Sequence, residues 1–148
     1  MKWLTFISLL LILFAFQTTN PCDPKQLKDA VREVMSPYQY DLSKLNRFTY
    51  KNKPQLKELE VDLFIGEKYK LIFNTTGCPI PITINLYNRD KDHSKRKLLY
   101  SSKDEPSDKK IFTFEYSKAR HIYIDYEIPA DTTNSNLQGC VMFVLGYK

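Results

Sequence analysis

Glycine is scarce, with 4 in 148 residues, and no two lie at a phosphate-binding spacing. The loops Gly-x-Gly-x-x-Gly and Gly-x-x-x-x-Gly-Lys are both absent, which excludes the common nucleotide-binding fingerprints. Neither Gly-x-Ser-x-Gly nor His-Glu-x-x-His occurs, so two frequent hydrolase signatures are missing as well. Histidine and cysteine are also few, at 2 and 3. Cys22, Cys78 and Cys140 are too far apart for a Cys-x-x-Cys zinc pair, and only His93 and His121 could assist them, so no metal site is expected. No apolar run reaches the ~20 residues that cross a bilayer, which argues against an integral membrane protein. What the chain does have is apolar bulk. Its 43% hydrophobic and 14% aromatic content exclude a disordered polypeptide. The length suits one domain. The charge excess of +5 is modest, and with no recognition motif it makes no case for nucleic acid.

Lys2 precedes the run Trp3 to Phe16, which only Thr5 and Ser8 interrupt, and Gln17-Thr18-Thr19-Asn20 follows. A charged start, a short apolar core and a polar exit describe a signal peptide. The expected organisation is therefore a leader over 1–20 and one domain over 21–148, secreted or periplasmic once the leader is removed. Export permits disulfides, and three cysteines leave one thiol over.

The first mature segment has helical period. Leu27, Val31, Val34 and Met35 form one stripe, Asp23 can cap, Pro24 suits the first turn and Pro37 stops it. One amphipathic helix over 23–36 is predicted. The period then changes to two. Leu59, Val61, Leu63 and Ile65 alternate with Glu58, Glu60, Asp62 and Phe64, and Tyr69, Leu71 and Phe73 with Lys68, Lys70 and Ile72, with a tight turn at Gly66-Glu67 between the two runs. Further alternation covers 80–87 and 121–128. Shorter strands are predicted at 48–50, 97–101 and 110–116, and an apolar one at 140–145. About eight short strands between polar turns predict a mainly β protein, an antiparallel, jelly-roll-like β-sandwich with one N-terminal helix.

The stretches Gly66 to Asn74, Ile84 to Asn88 and Gly139 to Lys148 resemble small exported proteins of Gram-negative bacteria. The strand pattern over 59–147 is loosely similar to the pre-peptidase C-terminal-like sandwich, an accessory module of secreted proteins. The resemblance implies a sandwich fold and export. It carries no catalytic motif and no cofactor.

Three features bear on chemistry. If the last strand pairs with 69–74 so that Phe73 faces Phe143, Cys78 comes near Cys140. The expected disulfide is then Cys78–Cys140, with Cys22–Cys140 as the alternative. Acids alternate on two strands, Glu58, Glu60 and Asp62 on one and Asp125 and Glu127 on the other, roughly 7 Å apart at successive positions. A glycosidase needs carboxyls about 5–10 Å apart, but alternating acids usually mark a strand's wet face. The loop 131–136 offers oxygen atoms for calcium without any established loop pattern. The third feature is the run Arg89, Asp90, Lys91, Asp92, His93, Ser94, Lys95, Arg96, Lys97, read as an exposed hairpin tip. Its candidate binding residues are Arg89, Lys91, His93, Lys95, Arg96 and Lys97, and its partner class is an anionic glycan, an envelope surface or a protein. Asn74-Thr75-Thr76 is a sequon, meaningful only in a host that glycosylates. No nucleophile–base constellation is visible, so no catalytic residue is assigned. The expectation is a non-catalytic exported binding or accessory module, with a small hydrolase using strand carboxylates as the alternative.

Overall fold

The computed structural model describes residues 19–148 except 119 and 134. The expected leader falls almost wholly outside the described residues. Two short helices, α1 (Pro24–Asp29) and α2 (Arg32–Met35), precede eight strands. These are β1 (Gln39–Thr49), β2 (Gln55–Asp62), β3 (Tyr69–Asn74), β4 (Thr83–Tyr87), β5 (Leu98–Ser101), β6 (Ile111–Tyr116), β7 (His121–Ile128) and β8 (Gln138–Tyr147). They form two four-stranded antiparallel sheets in the orders β1-β8-β3-β6 and β2-β7-β4-β5. That connectivity is an eight-stranded jelly roll. Only the β4–β5 connection stays within one sheet; every other one crosses between them.

The inter-sheet core follows from the period of two. Leu71, Phe73, Val141, Phe143 and Leu145 point from the first sheet toward Ile84, Leu86, Ile122 and Ile124 of the second, all essentially inaccessible. Fully burying one such side chain is worth roughly 1.5–3 kcal/mol. The first sheet is covered on its other face too, where Leu27, Val31, Met35 and Tyr38 pack on Ile72, Met142 and Val144. β8 lies between β1 and β3, so both its faces are buried, which is why its sequence is apolar throughout.

The predicted single helix is instead two. Asp23 caps α1 by accepting from the Gln26 N–H at 2.9 Å, and Pro24 occupies the first turn as expected. The ladder then tightens: the Val31 N–H turns to the Lys28 carbonyl, three residues back, and Val31 leaves helical geometry. Leu27, Val31 and Met35 still share the buried face, so the apolar stripe survives the break. The strand predicted over 80–87 begins only at Thr83, because Pro79 and Pro81 have no N–H to give a ladder. β1 is longer than predicted. It is an edge strand, exposed over most of its length, and so carries no alternation.

The expected Cys78–Cys140 bond is corrected by the structure, which joins Cys22 to Cys140 and leaves Cys78 free and buried. The register behind the expectation is present, with Phe73 opposite Phe143. β3 ends at Asn74, however, and a turn follows in which the Cys78 N–H donates to the Thr75 carbonyl at 2.9 Å. Gly77, not Cys78, then faces Cys140, and its carbonyl accepts the Cys140 N–H at 3.1 Å. The turn rotates Cys78 into the inter-sheet core, whereas Cys140 points to the helical face where Cys22 arrives. A side chain at Gly77 would meet the Cys140 sulfur, which its disulfide bond holds in place. Gly77→Ala is expected to cost about 1–3 kcal/mol, the usual range for overpacking, measured by urea unfolding.

Asn74 of the sequon lies inside the folded chain. Its side chain is fully buried, Nδ2 donates to the Leu27 carbonyl at 3.0 Å, and Oδ1 accepts from Thr76. The nitrogen that would carry a glycan instead ties the helical layer to the sheet.

Candidate functional site

Jelly-roll topology gathers alternate connections at one end of the sandwich. Asp62 pairs with His121, Tyr87 with Tyr123, and Tyr69 with both Tyr116 and Tyr147. The connections 63–68, 88–97 and 117–120 therefore emerge together. They contain eight Lys/Arg and three Asp/Glu, so the chain's entire excess of +5 resides in these three connections and the remainder balances.

The outer face of the second sheet beside this end is acidic. Glu58, Glu60 and Asp62 of β2 face outward next to Asp125 and Glu127 of β7, and Glu58 stands directly opposite Asp125. Like charges so placed repel. The 88–97 connection folds over them. Arg96 Nη2 lies 2.8 Å from both Asp125 oxygens and 3.0 Å from Glu58 Oε2, while Nε donates to the Arg89 carbonyl at 3.0 Å. The guanidinium stacks on the Tyr87 ring at 3.5 Å. Glu58 Oε2 also accepts the Lys91 N–H at 2.8 Å. Burial pushes the Glu58 carboxyl above its ordinary value, with the neighbouring Asp125 adding to the shift; the Lys91 N–H and Arg96 oppose it. Arg96 thus departs from the sequence expectation of an exposed hairpin tip. Its side chain is 16% exposed and that of Asp125 is 3%.

The rest of the connection is held by its own backbone. Asp92 N–H donates to Asp90 Oδ1, Lys95 N–H to His93 Nδ1, and Lys97 N–H to Asn88 Oδ1 at 2.7 Å. Arg89, Lys91, Lys95 and Lys97 remain exposed, and His93 is half-buried. None of these four cations has an ion-pair partner among the described residues, nor do Lys118 and Arg120. A cleft of about 380 Å³ lies between the 88–97 connection and the 117–120 connection. Arg89, His93, Lys118, Arg120 and His121 line it with Tyr116 and Tyr123, and Asp90 is its one acid. Both histidines of the chain meet there. Of the six candidate binding residues, Arg89 and His93 face the cleft, Lys91, Lys95 and Lys97 surround the loop, and Arg96 is withdrawn into structure.

One juxtaposition was not anticipated. His121 Nδ1 lies 2.7 Å from Asp62 Oδ1 and 3.2 Å from Glu60 Oε1, so three side chains each offer one metal-ligating atom within 4.8 Å of one another. All three are about half exposed or more. Glu60 also accepts from Tyr123 Oη at 3.1 Å. Strand alternation marked the two acids, but the facing histidine is 59 residues away from Asp62 and only the register brings it there. In the 131–136 loop, Asp131 Oδ1 accepts from the Thr133 N–H and hydroxyl and Oδ2 from Ser135, which holds its carboxyl below the usual range. Its oxygens are spent on the turn.

Fold and site define a small jelly-roll domain with one cationic loop end. No protein-family model, curated protein or solved structure matches the chain. No helix among the described residues is long and apolar enough to cross a membrane.

Proposed function

We propose that the protein is an exported, non-catalytic binding or accessory module whose cationic loop end engages an anionic ligand. One observation carries this reading: the whole charge excess of +5 sits on three adjacent connections whose exposed cations have no ion-pair partner among the described residues. A surface of one sign attracts opposite charge over several ångströms and raises encounter rates. The cleft between two of the connections gives that attraction a place to become contact.

The test is binding to a sulfated polysaccharide against neutral dextran across a salt series. Exposed charges are screened over ~8 Å at physiological ionic strength, so affinity should fall steeply with salt. Lys91→Glu, Lys95→Glu and Lys97→Glu together should weaken binding at least about tenfold at low salt. Unfolding stability should change by less than about 1 kcal/mol, because all three side chains are exposed and unpaired. Binding indistinguishable from the parent chain would overturn the proposal. Arg96 is left out of the set because it is structural.

The alternative, a small hydrolase using strand carboxylates, draws on the raised Glu58 beside Asp125. Arg96 occupies both Asp125 oxygens and one of Glu58, which leaves that pair little freedom to act as acid and base. The geometry therefore favours binding.

A further inference from the structure

We infer that the anionic partner is a lipid bilayer surface, and that Phe64 and Ile65 enter its interfacial zone while Lys68, Lys118 and Arg120 meet lipid phosphates. This rests on reading the loop end as an anion-binding surface and names the surface. Phe64 is 80% exposed and Ile65 71%, the two most exposed large apolar residues among those described. They are consecutive, at the tip of the β2–β3 connection, and residues 64–68 are all exposed. An isolated exposed apolar residue needs no explanation; two adjacent ones on a protruding turn do.

The tip is held rather than loose. Leu63, next to Phe64, is buried in the inter-sheet core, and its N–H donates to the Arg120 carbonyl at 2.6 Å. The Phe64 N–H donates to the hydroxyl of the buried Tyr69 at 2.9 Å. Gly66 has φ +99°, a value that L side chains rarely adopt, and open space around it. This backbone turns the chain immediately after Ile65, leaving Phe64 and Ile65 outside the sandwich. The bond from Leu63 to Arg120 places the apolar tip beside the 117–120 connection. Phe64, Ile65, Arg120 and His121 border a common hollow of about 360 Å³. Lys68 follows on the same turn, and the acids at its border are Glu67 and Asp62, the latter facing His121.

The occupant follows from size and charge. A stable protein interface needs roughly 800 Å² on each side with a broad apolar centre, and a two-residue tip offers neither. A second copy would bring two ends of the same positive sign together. A bilayer accepts a narrow apolar wedge, and its anionic lipids reward the flanking cations.

The test is flotation of the processed chain, residues 21–148, with vesicles of phosphatidylcholine alone and of phosphatidylcholine mixed with phosphatidylglycerol. Binding is expected to the mixed vesicles and not to the neutral ones, and to weaken with salt. Phe64→Ser with Ile65→Ser should lose at least about tenfold in vesicle binding, since burying one such side chain is worth about tenfold or more. It should keep binding to the sulfated polysaccharide and keep its unfolding midpoint. A second variant, Phe64→Trp, carries one indole, whose emission should shift to the blue on mixed vesicles. Vesicle binding unchanged in the double serine variant, or no spectral shift, overturns the inference. So does concentration-dependent self-association of the parent chain, without vesicles, that the serines abolish. Polysaccharide binding with no vesicle binding overturns this inference and leaves the proposed function standing. Binding to neither removes both.

Discussion

Arg96→Ala is expected to lower the unfolding free energy by about 3–5 kcal/mol, the range for breaking a buried ion pair from one side. The loss arises less from the missing attraction than from what remains. Asp125 would keep a carboxylate at 3% exposure with its cation gone, directly opposite Glu58. Tyr87 would lose the group stacked on it, and the 88–97 connection its hold on the sheet. The pH dependence separates this account from a simple packing defect. Glu58 already titrates above its ordinary value, and without Arg96, which opposes that shift, its carboxyl should titrate still higher in the folded chain than in the unfolded one. The folded state then binds more protons, and stability must rise as pH falls from 7 toward 5. Glu58, already raised in the parent chain, contributes in that same direction above its unfolded value. The variant should therefore recover part of its deficit in mild acid. Asp125→Asn in the Arg96→Ala background should recover it at neutral pH. A loss under 1 kcal/mol, or one insensitive to pH, would show that Arg96 is as solvated as its sequence context suggests.

Reducing or removing the Cys22–Cys140 bond is the second large effect. The two cysteines are 118 residues apart, and loop-closure entropy for such a separation amounts to roughly 5 kcal/mol. Cys22→Ala is expected to realise about 3–5 kcal/mol of it and to loosen α1 and α2 first, because the bond pins the helical layer to β8. Non-reducing peptide maps should show the Cys22 and Cys140 peptides joined. Cys78 should resist alkylation until the chain is unfolded. Its thiol is buried, donates to the Cys140 carbonyl at 3.2 Å, and burial pushes it up to about 11. Although Cys78 adjoins the residue opposite Cys140, β8 separates thiol from disulfide: one lies between the sheets, the other beneath the helices. Native exchange is blocked by a layer of backbone. A linked Cys78–Cys140 peptide would contradict the structure.

Much of the sandwich could be read from residues that alternate. β2 and β7 each turn an apolar face inward, and their Leu, Ile and Val spacing says so; β3 keeps that alternation although Ile72 and Asn74 are buried on its other face, and β8, buried on both, announces its central place by being apolar throughout. Of β1 only the end near Phe48 was legible, for the converse reason, since an edge strand with only Phe48 buried has no period to detect. The loop end was legible as a concentration of charge but not as a division of labour. Arg96 looks like its neighbours in sequence, and only the fold brings it to Asp125, 29 residues on, and Glu58, 38 residues back. The same limit concealed Glu60, Asp62 and His121 as a group. Strand pattern fixes which way a side chain faces, whereas register across strands decides whom it meets. The disulfide shows both halves of that rule: the register was inferable, and a three-residue turn after Asn74 reversed its consequence.

The place of β8 between β1 and β3 also sets the order in which the molecule can be completed. Until residues 138–147 are present, the first sheet has a gap at its middle: β1 has no strand to pair with, and β3 has β6 alone. Cys22 likewise waits for Cys140, which lies in that strand. The fold is therefore closed by its last strand, as an arch is by its keystone, and a chain truncated before residue 138 should remain open however much of the second sheet it can pair.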